Sequence, residues 1–127
     1  MNTIIKKELV KNNDYTQTWK YTIYTTQFIN EIIKQSDNRL GFLVLVVDNS
    51  EKTATITNFF TQLHNQGIGS KLLCQVISDC KEININLIEL DDMTDRYRKS
   101  NNIYLKFGFK YVDVYGPEMI LHLNYNS

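Results

Sequence analysis

Proline is almost missing from this 127-residue chain, with one copy at Pro117, and glycine is sparse, with five. Stiff polyproline segments and glycine-rich linkers are thereby excluded, and nothing reads as a repeat or a low-complexity tract. Charge of one sign is not in excess either: 14 Lys and Arg balance 14 Asp and Glu, for a formal net charge of zero. Without a block of like charge to neutralise a run of phosphates, a nucleic-acid partner is not implied. No apolar run approaches the ~20 residues that span a bilayer, so no membrane partner is expected. The start, Met1-Asn2-Thr3-Ile4-Ile5-Lys6-Lys7, has neither the apolar core nor the cleavage site of an export signal. Cysteine is limited to Cys74 and Cys80, roughly 240° apart around one expected helix and so unable to pair with each other. They lack metal-ligand spacing. The expectation is a cytoplasmic, reducing setting, no metal, and two thiols serving as small buried hydrophobes.

What is present is an ordinary globular composition, 43% hydrophobic and 22% charged. It predicts one domain over residues 1–127 with a core that needs no staples. Thr3 to Val10 and Thr16 to Thr25 read as strands, and apolar spacing in Phe28-Ile29-Asn30-Glu31-Ile32-Ile33 predicts a helix over 26–36, ended by Asp37-Asn38. Leu40 to Val47 and Thr53 to Thr61 are β-branched and apolar, joined by the polar hairpin Asp48-Asn49-Ser50-Glu51-Lys52. Ile68, Leu72, Leu73, Val76, Ile77 and Cys80 form the stripe of an amphipathic helix. Ile83 to Leu90 reads as the following strand, so this strand–helix–strand unit implies a parallel pair with a right-handed crossover. A second helix is expected over 94–107, with Tyr97, Ser100, Ile103, Tyr104 and Phe107 on one face and Gly108 as its left-handed cap. Phe109 to Val114 and Glu118 to Leu123 close the chain as strands around Tyr115-Gly116-Pro117.

Two of the five glycines share one turn. The strand Ala54-Thr55-Ile56-Thr57-Asn58-Phe59-Phe60 runs into His64-Asn65-Gln66-Gly67-Ile68-Gly69-Ser70-Lys71-Leu72-Leu73, an apolar strand, a glycine turn and a helix start in succession. The first amides of such a helix have no carbonyl partners, and the positive end of the helix dipole lies behind them. That is a site for a phosphorylated ligand. Glycine suits it because a Cβ would crowd the approaching oxygens.

His64-Asn65-Gln66-Gly67-Ile68-Gly69 resembles the R/Q-x-x-G-x-G/A signature of the GNAT superfamily of N-acetyltransferases, with His64 where Arg or Gln is usual. Asn102-Ile103-Tyr104-Leu105-Lys106-Phe107-Gly108-Phe109 is similar to that family's LYxKxGF segment, and Met119 to its last strand. The resemblance covers about residues 52–123, behind a shortened N-terminal region. It implies an α/β fold of mixed type: a mostly antiparallel twisted sheet with a central β-α-β crossover and helices on both faces. It also implies acetyl-CoA as cosubstrate. Phe59, Phe60 and Thr61 would line the pantetheine arm, while His64, Gln66, Gly67, Ile68, Gly69, Ser70 and Lys71 would surround the phosphates. With Tyr97 at the family's usual Asn position, Asn101 or Asn102 is left to meet the pantetheine. Tyr104 stands where many members place the acid that protonates the departing thiolate, and an unperturbed phenol, near ~10, keeps its proton at neutral pH. The family's frequent strand-four Glu is missing, so Glu89, Asp91 and Asp92 are the carboxylates available as base, Glu89 and Asp92 first among them. The implied activity is acetyl transfer to an amine-bearing acceptor, protein or small molecule. A CoA-binding or interaction module without turnover is the alternative.

Overall fold

The computed structural model describes residues 2–25, 38–62, 67–94 and 96–123. Four long strands come first: β1 (Thr3–Asn12), β2 (Thr16–Thr25), β3 (Arg39–Asp48) and β4 (Thr53–Thr61). Each pairs antiparallel with the next. The β3–β4 hairpin closes where Asp48 Oδ1 accepts from the Ser50 amide at 3.0 Å, the Ser50 hydroxyl at 2.7 Å and the Glu51 amide at 3.1 Å. Asp here supplies the carboxylate that a tight polar turn needs. Then follow α1 (Ile68–Glu82), β5 (Leu87–Asp91), the short α2 (Ile103–Lys106), β6 (Lys110–Tyr111) and β7 (Glu118–His122). The resulting seven-stranded sheet has the order β1-β2-β3-β4-β5-β7-β6, and its one parallel pair is β4–β5. The mixed, mostly antiparallel sheet with a central β-α-β crossover is the architecture that the sequence implied.

Alternation along the strands puts one face of the sheet in the core. Tyr21 and Ile23, Leu43, Leu45 and Val47, Ala54 and Ile56, Ile88 and Leu90, and Met119 and Leu121 are all buried. They meet the α1 stripe of Ile68, Leu72, Leu73, Val76 and Cys80. At about 1.5–3 kcal/mol for each fully buried aliphatic side chain, this stripe holds α1 far more strongly than the ~1 kcal/mol of a typical helix cap. The helix can therefore begin without one.

Several boundaries differ from the sequence reading. The strand expected from Ile83 starts at Leu87, because Asn84 adopts φ 62° and the Ile83 amide returns to the Asp79 carbonyl, closing α1. The helix expected over 94–107 is confined to Ile103–Lys106. Arg98 at φ 59° and Asn102 at φ −64°, ψ 131° cannot lie inside a helix, and Asn102 instead caps one. Gly108, at φ 95°, does follow it in the left-handed position. The strand expected over Phe109–Val114 shrinks to Lys110–Tyr111. Cys80 is buried but Cys74 is exposed, and both are free thiols. Desolvation, then the Asp79 charge, pushes the Cys80 thiol up to about 12. The helix expected over 26–36, its Asp37 turn, and with them part of the expectation of helices on both faces, lie outside the described residues. Among the described residues, no helix is long and apolar enough to cross a membrane, and no His, Cys, Asp and Glu group could hold a metal ion.

Candidate active site

The centre of the sheet is forked. The parallel ladder between β4 and β5 runs from Thr53↔Leu87 to Ile56↔Leu90 and stops there, whereas β4 continues to Thr61. Among the described residues, β4 beyond Ile56 is paired with β3 alone. A bulge marks the same place: Leu45 faces Ile56 and Val44 faces Asn58, so Thr57 is an extra residue. The insertion reverses the alternation, so Phe59, opposite Leu43, returns to the core face, and Phe60, opposite Phe42, is 51% exposed. The polar pair Thr57-Asn58, interrupting apolar alternation, is the sequence signal for this bulge. Gly41, opposite Thr61, allows β3 and β4 to press together: a Cβ there would lie 2.5 Å from the Phe60 carbonyl oxygen.

The start of α1 sits beside the fork. Gly67 precedes the helix at φ 73°, ψ 9°, without a side-chain cap, and no acidic residue occupies the first turn. The first bond of the helix runs from the Lys71 amide to the Gly67 carbonyl, leaving the amides of Ile68, Gly69 and Ser70 without an intrahelical acceptor. A Cβ on Gly69 would come within 3.0 Å of Ile103 Cδ1 and 3.2 Å of the Phe59 ring. That glycine lets α1, α2 and the end of β4 converge. Lys71 Nζ donates to Thr3 Oγ1 at 3.2 Å, and Ser70 and Lys71 line a shallow groove between α1 and β1. His64 and Gln66 lie outside the described residues.

Tyr104 completes the convergence. Its ring packs against Phe59 at 6.0 Å and Phe109 at 5.9 Å between centroids, and the residue is 5% exposed. Desolvation by burial, with the Asp92 charge adding to it, raises the phenol above its ordinary range, so its proton is kept at neutral pH. Among the described residues, its hydroxyl has no hydrogen-bond partner. Glu89 lies between Thr55 of β4 and Ile120 of β7, half-buried, and points to the opposite face from Ile88 and Leu90. Asp91, paired with Glu118, is exposed. Asn101 is exposed on the turn before α2, whereas Asn102 is fully buried.

A side-chain knot that the sequence reading passed over joins these pieces. Asp92, 3% exposed at the end of β5, accepts from the Thr94 amide at 3.0 Å and the Thr94 hydroxyl at 2.6 Å through Oδ1. Its Oδ2 accepts from Asn102 Nδ2 at 2.7 Å and the Tyr111 hydroxyl at 2.6 Å. Burial alone would raise this carboxyl, but the bonds from Thr94, Tyr111 and Asn102 outweigh it and hold it below the usual carboxylate range. Asn102 Oδ1 in turn accepts from the Tyr104 amide at 2.8 Å and the Leu105 amide at 3.4 Å, and its Nδ2 also reaches the Arg96 carbonyl at 3.1 Å. With both ends occupied, Asn102 has no group left for the pantetheine contact. An Asn immediately before Ile-Tyr-Leu-Lys is an N-cap signal, and reading one continuous helix across it hid that signal. Around the knot, Arg98 stacks 4.2 Å from the Tyr111 ring centroid and donates to the carbonyls of Asp113 at 2.8 Å and Gly116 at 3.1 Å.

A mixed, mostly antiparallel sheet forked at one parallel pair, with a bare helix start and a buried phenol at the fork, defines the α/β class of the fold. Residues 6–109 match the model of the acetyltransferase (GNAT) family, and the chain belongs to that family. The match begins well before residue 52, where the motifs alone had placed it. Among solved structures, Ard1 from Thermoplasma volcanium is similar at 22% identity and TM-score 0.60, over 81% of this chain and 70% of that one. Nourseothricin acetyltransferase is similar at 12% identity and TM-score 0.63, over 96% and 85%. PaiA N-acetyltransferase from Thermoplasma acidophilum, solved in complex with coenzyme A, is similar at 19% identity and TM-score 0.54, over 87% and 62%. No curated protein sequence matches the chain.

Proposed function

We propose that this protein is an acetyl-CoA-dependent N-acetyltransferase that moves the acetyl group directly to a primary amine, of a protein or a small molecule, within a ternary complex. The observation that carries this reading is the meeting of the β4–β5 fork, the uncapped start of α1 and the Tyr104 phenol at one place. The amides of Ile68, Gly69 and Ser70 are placed to hold diphosphate oxygens, with the helix dipole behind them. Phe59, Phe60 and Thr61 lie on the part of β4 with no ladder partner on the β5 side, so their main chain is available to the amides of a pantetheine arm. Acetyl-CoA supplies the activated acyl carbon as substrate. As its C–S bond breaks and the C–N bond forms, the nitrogen loses a proton and the sulfur gains one. Tyr104, whose hydroxyl has no partner among the described residues, holds a proton for the departing sulfur. Glu89, on the opposite face of β5 from Ile88 and Leu90, is the carboxylate proposed to take the proton of the amine. Two free thiols suit a reducing, cytoplasmic setting.

Calorimetric titration with acetyl-CoA tests the reading, and failure to bind at about 0.5 mM, a free energy of only about −4.5 kcal/mol, overturns it. Loss of the hydroxyl in Tyr104→Phe is expected to lower kcat by about a hundredfold while leaving the acetyl-CoA dissociation constant within about twofold. The alternative, a CoA-binding module without turnover, draws on the absence of any carboxylate in Thr53–Thr61. Binding without acetyl transfer to any primary amine, and no change in Tyr104→Phe, would favour it.

A further inference from the structure

We propose that Asp92 is a positioning residue: its buried carboxylate ties the end of β5 to the first turn of α2 and thereby fixes the Tyr104 ring against Phe59 at the fork. What Tyr104 does rests on the acetyltransferase reading; how it is held rests on the geometry.

The path of restraint is short. Asp92 leaves β5 two residues after the last β4–β5 pair, and its amide donates to the Pro117 carbonyl at 2.8 Å, which anchors its main chain beside β7. Its Oδ2 takes Asn102 Nδ2 at 2.7 Å, and Asn102 Oδ1 takes the Tyr104 amide at 2.8 Å. α2 is only four residues long, too short to be stable as an isolated helix. Its placement therefore depends on the cap that Asp92 orients. Nor does the Tyr104 hydroxyl anchor itself to any described residue, so the phenol sits where the backbone of α2 and the rings of Phe59 and Phe109 put it.

The same bonds argue against Asp92 as the base that accepts the proton of the amine. Both of its oxygens already accept, from Thr94, Asn102 and Tyr111, and it is almost wholly buried. Taking up a proton would force a donor onto a carboxyl whose neighbours are themselves donors. The role is to hold, while a carboxylate elsewhere takes the proton.

Exchanging the two partners separates the possibilities. Asp92→Asn sets an amide against the Asn102 amide, and Asn102→Asp sets two carboxylates against each other. The double variant Asp92→Asn/Asn102→Asp restores one donor facing one acceptor and keeps an oxygen at the cap. Each single variant is expected to lower kcat at least tenfold with KM for acetyl-CoA within about twofold, because the α1 cradle is untouched. In ligand-free protein labelled with 13C at tyrosine Cζ, the resonance assigned through Tyr104→Phe shifts or broadens in each single variant. The exchange recovers most of kcat and returns the resonance. The proposal is overturned if the folded single variants leave that resonance in place, or if the exchange returns the resonance while kcat stays as low as in Asp92→Asn. The latter result makes Asp92 itself the base. Should either single variant fail to fold, the exchanged pair decides by the same two readouts. If the wild type transfers no acetyl group, the function reading fails, and the resonance still decides how Tyr104 is held.

Discussion

At the start of α1 the site is made of main chain: a left-handed glycine, amides without intrahelical acceptors, and no side chain capping them. At the start of α2 it is made of side chains, with Asn102 capping the helix and Asp92, Thr94, Tyr111 and Arg98 packed around that cap. The first spends none of its leading amides inside the helix. The second uses all of its hydrogen-bonding capacity internally and so fixes a neighbour. Among the described residues nothing fills the first helix start, which is why it is the proposed anion site, whereas everything fills the second, which is why it is the proposed support of the phenol.

The contrast breaks most sharply at Gly67. Among the described residues, no atom beyond its chain neighbours lies within 4 Å of where its Cβ would be, and Asp tolerates a left-handed backbone better than most residues, so Gly67→Asp should fold. Its carboxylate would occupy the open cradle, and the affinity for acetyl-CoA is expected to fall by more than about a hundredfold, or ~2.7 kcal/mol, in calorimetry. Normal binding by this variant would place the phosphates elsewhere.

At the filled end, Tyr111→Phe removes the donor to Asp92 and the acceptor of the Arg98 amide. The expected cost is about 1–2 kcal/mol in urea unfolding at pH 7. The Asp92 carboxyl is lowered in the folded protein, so the stability it contributes is present above the unfolded carboxylate value of ~3.9 and is lost as pH falls through the folded value. Tyr111→Phe brings the folded value back up. The gap in stability between variant and wild type should therefore narrow as unfolding is repeated down to about pH 3. A gap that is constant with pH would show that the hydroxyl acts through packing alone. The smallest effect belongs to Lys71→Ala at the open end, where an exposed amine already donates to Thr3. Acetyl-CoA affinity is expected to drop about two- to threefold, and less at high salt.

The same contrast governs how much the sequence reveals. A main-chain site needs glycine where a Cβ would intrude or a left-handed φ is required, and Gly67 and Gly69 mark the proposed one in a chain with few glycines. The strands and α1 were legible because their apolar periods are long and agree with the core they fill. The α2 region misled because Tyr97, Ser100, Ile103, Tyr104 and Phe107 mimic a helical period, while the chain between Arg98 and Asn102 is held in another shape by bonds to distant residues. Arg98 donating to Asp113 and Gly116, and Asp92 accepting from Tyr111, are pairings that no local pattern announces. Asp92 was legible as a carboxylate near the cleft; its commitment to Asn102 was not.

The fork has a mechanical consequence. The tip of β4 is a cantilever, clamped along β3 by the close approach at Gly41 and unbonded toward β5 beyond Ile56. A chain-like ligand seated between the two tips, as proposed, would break no strand-to-strand bond of the β4–β5 ladder.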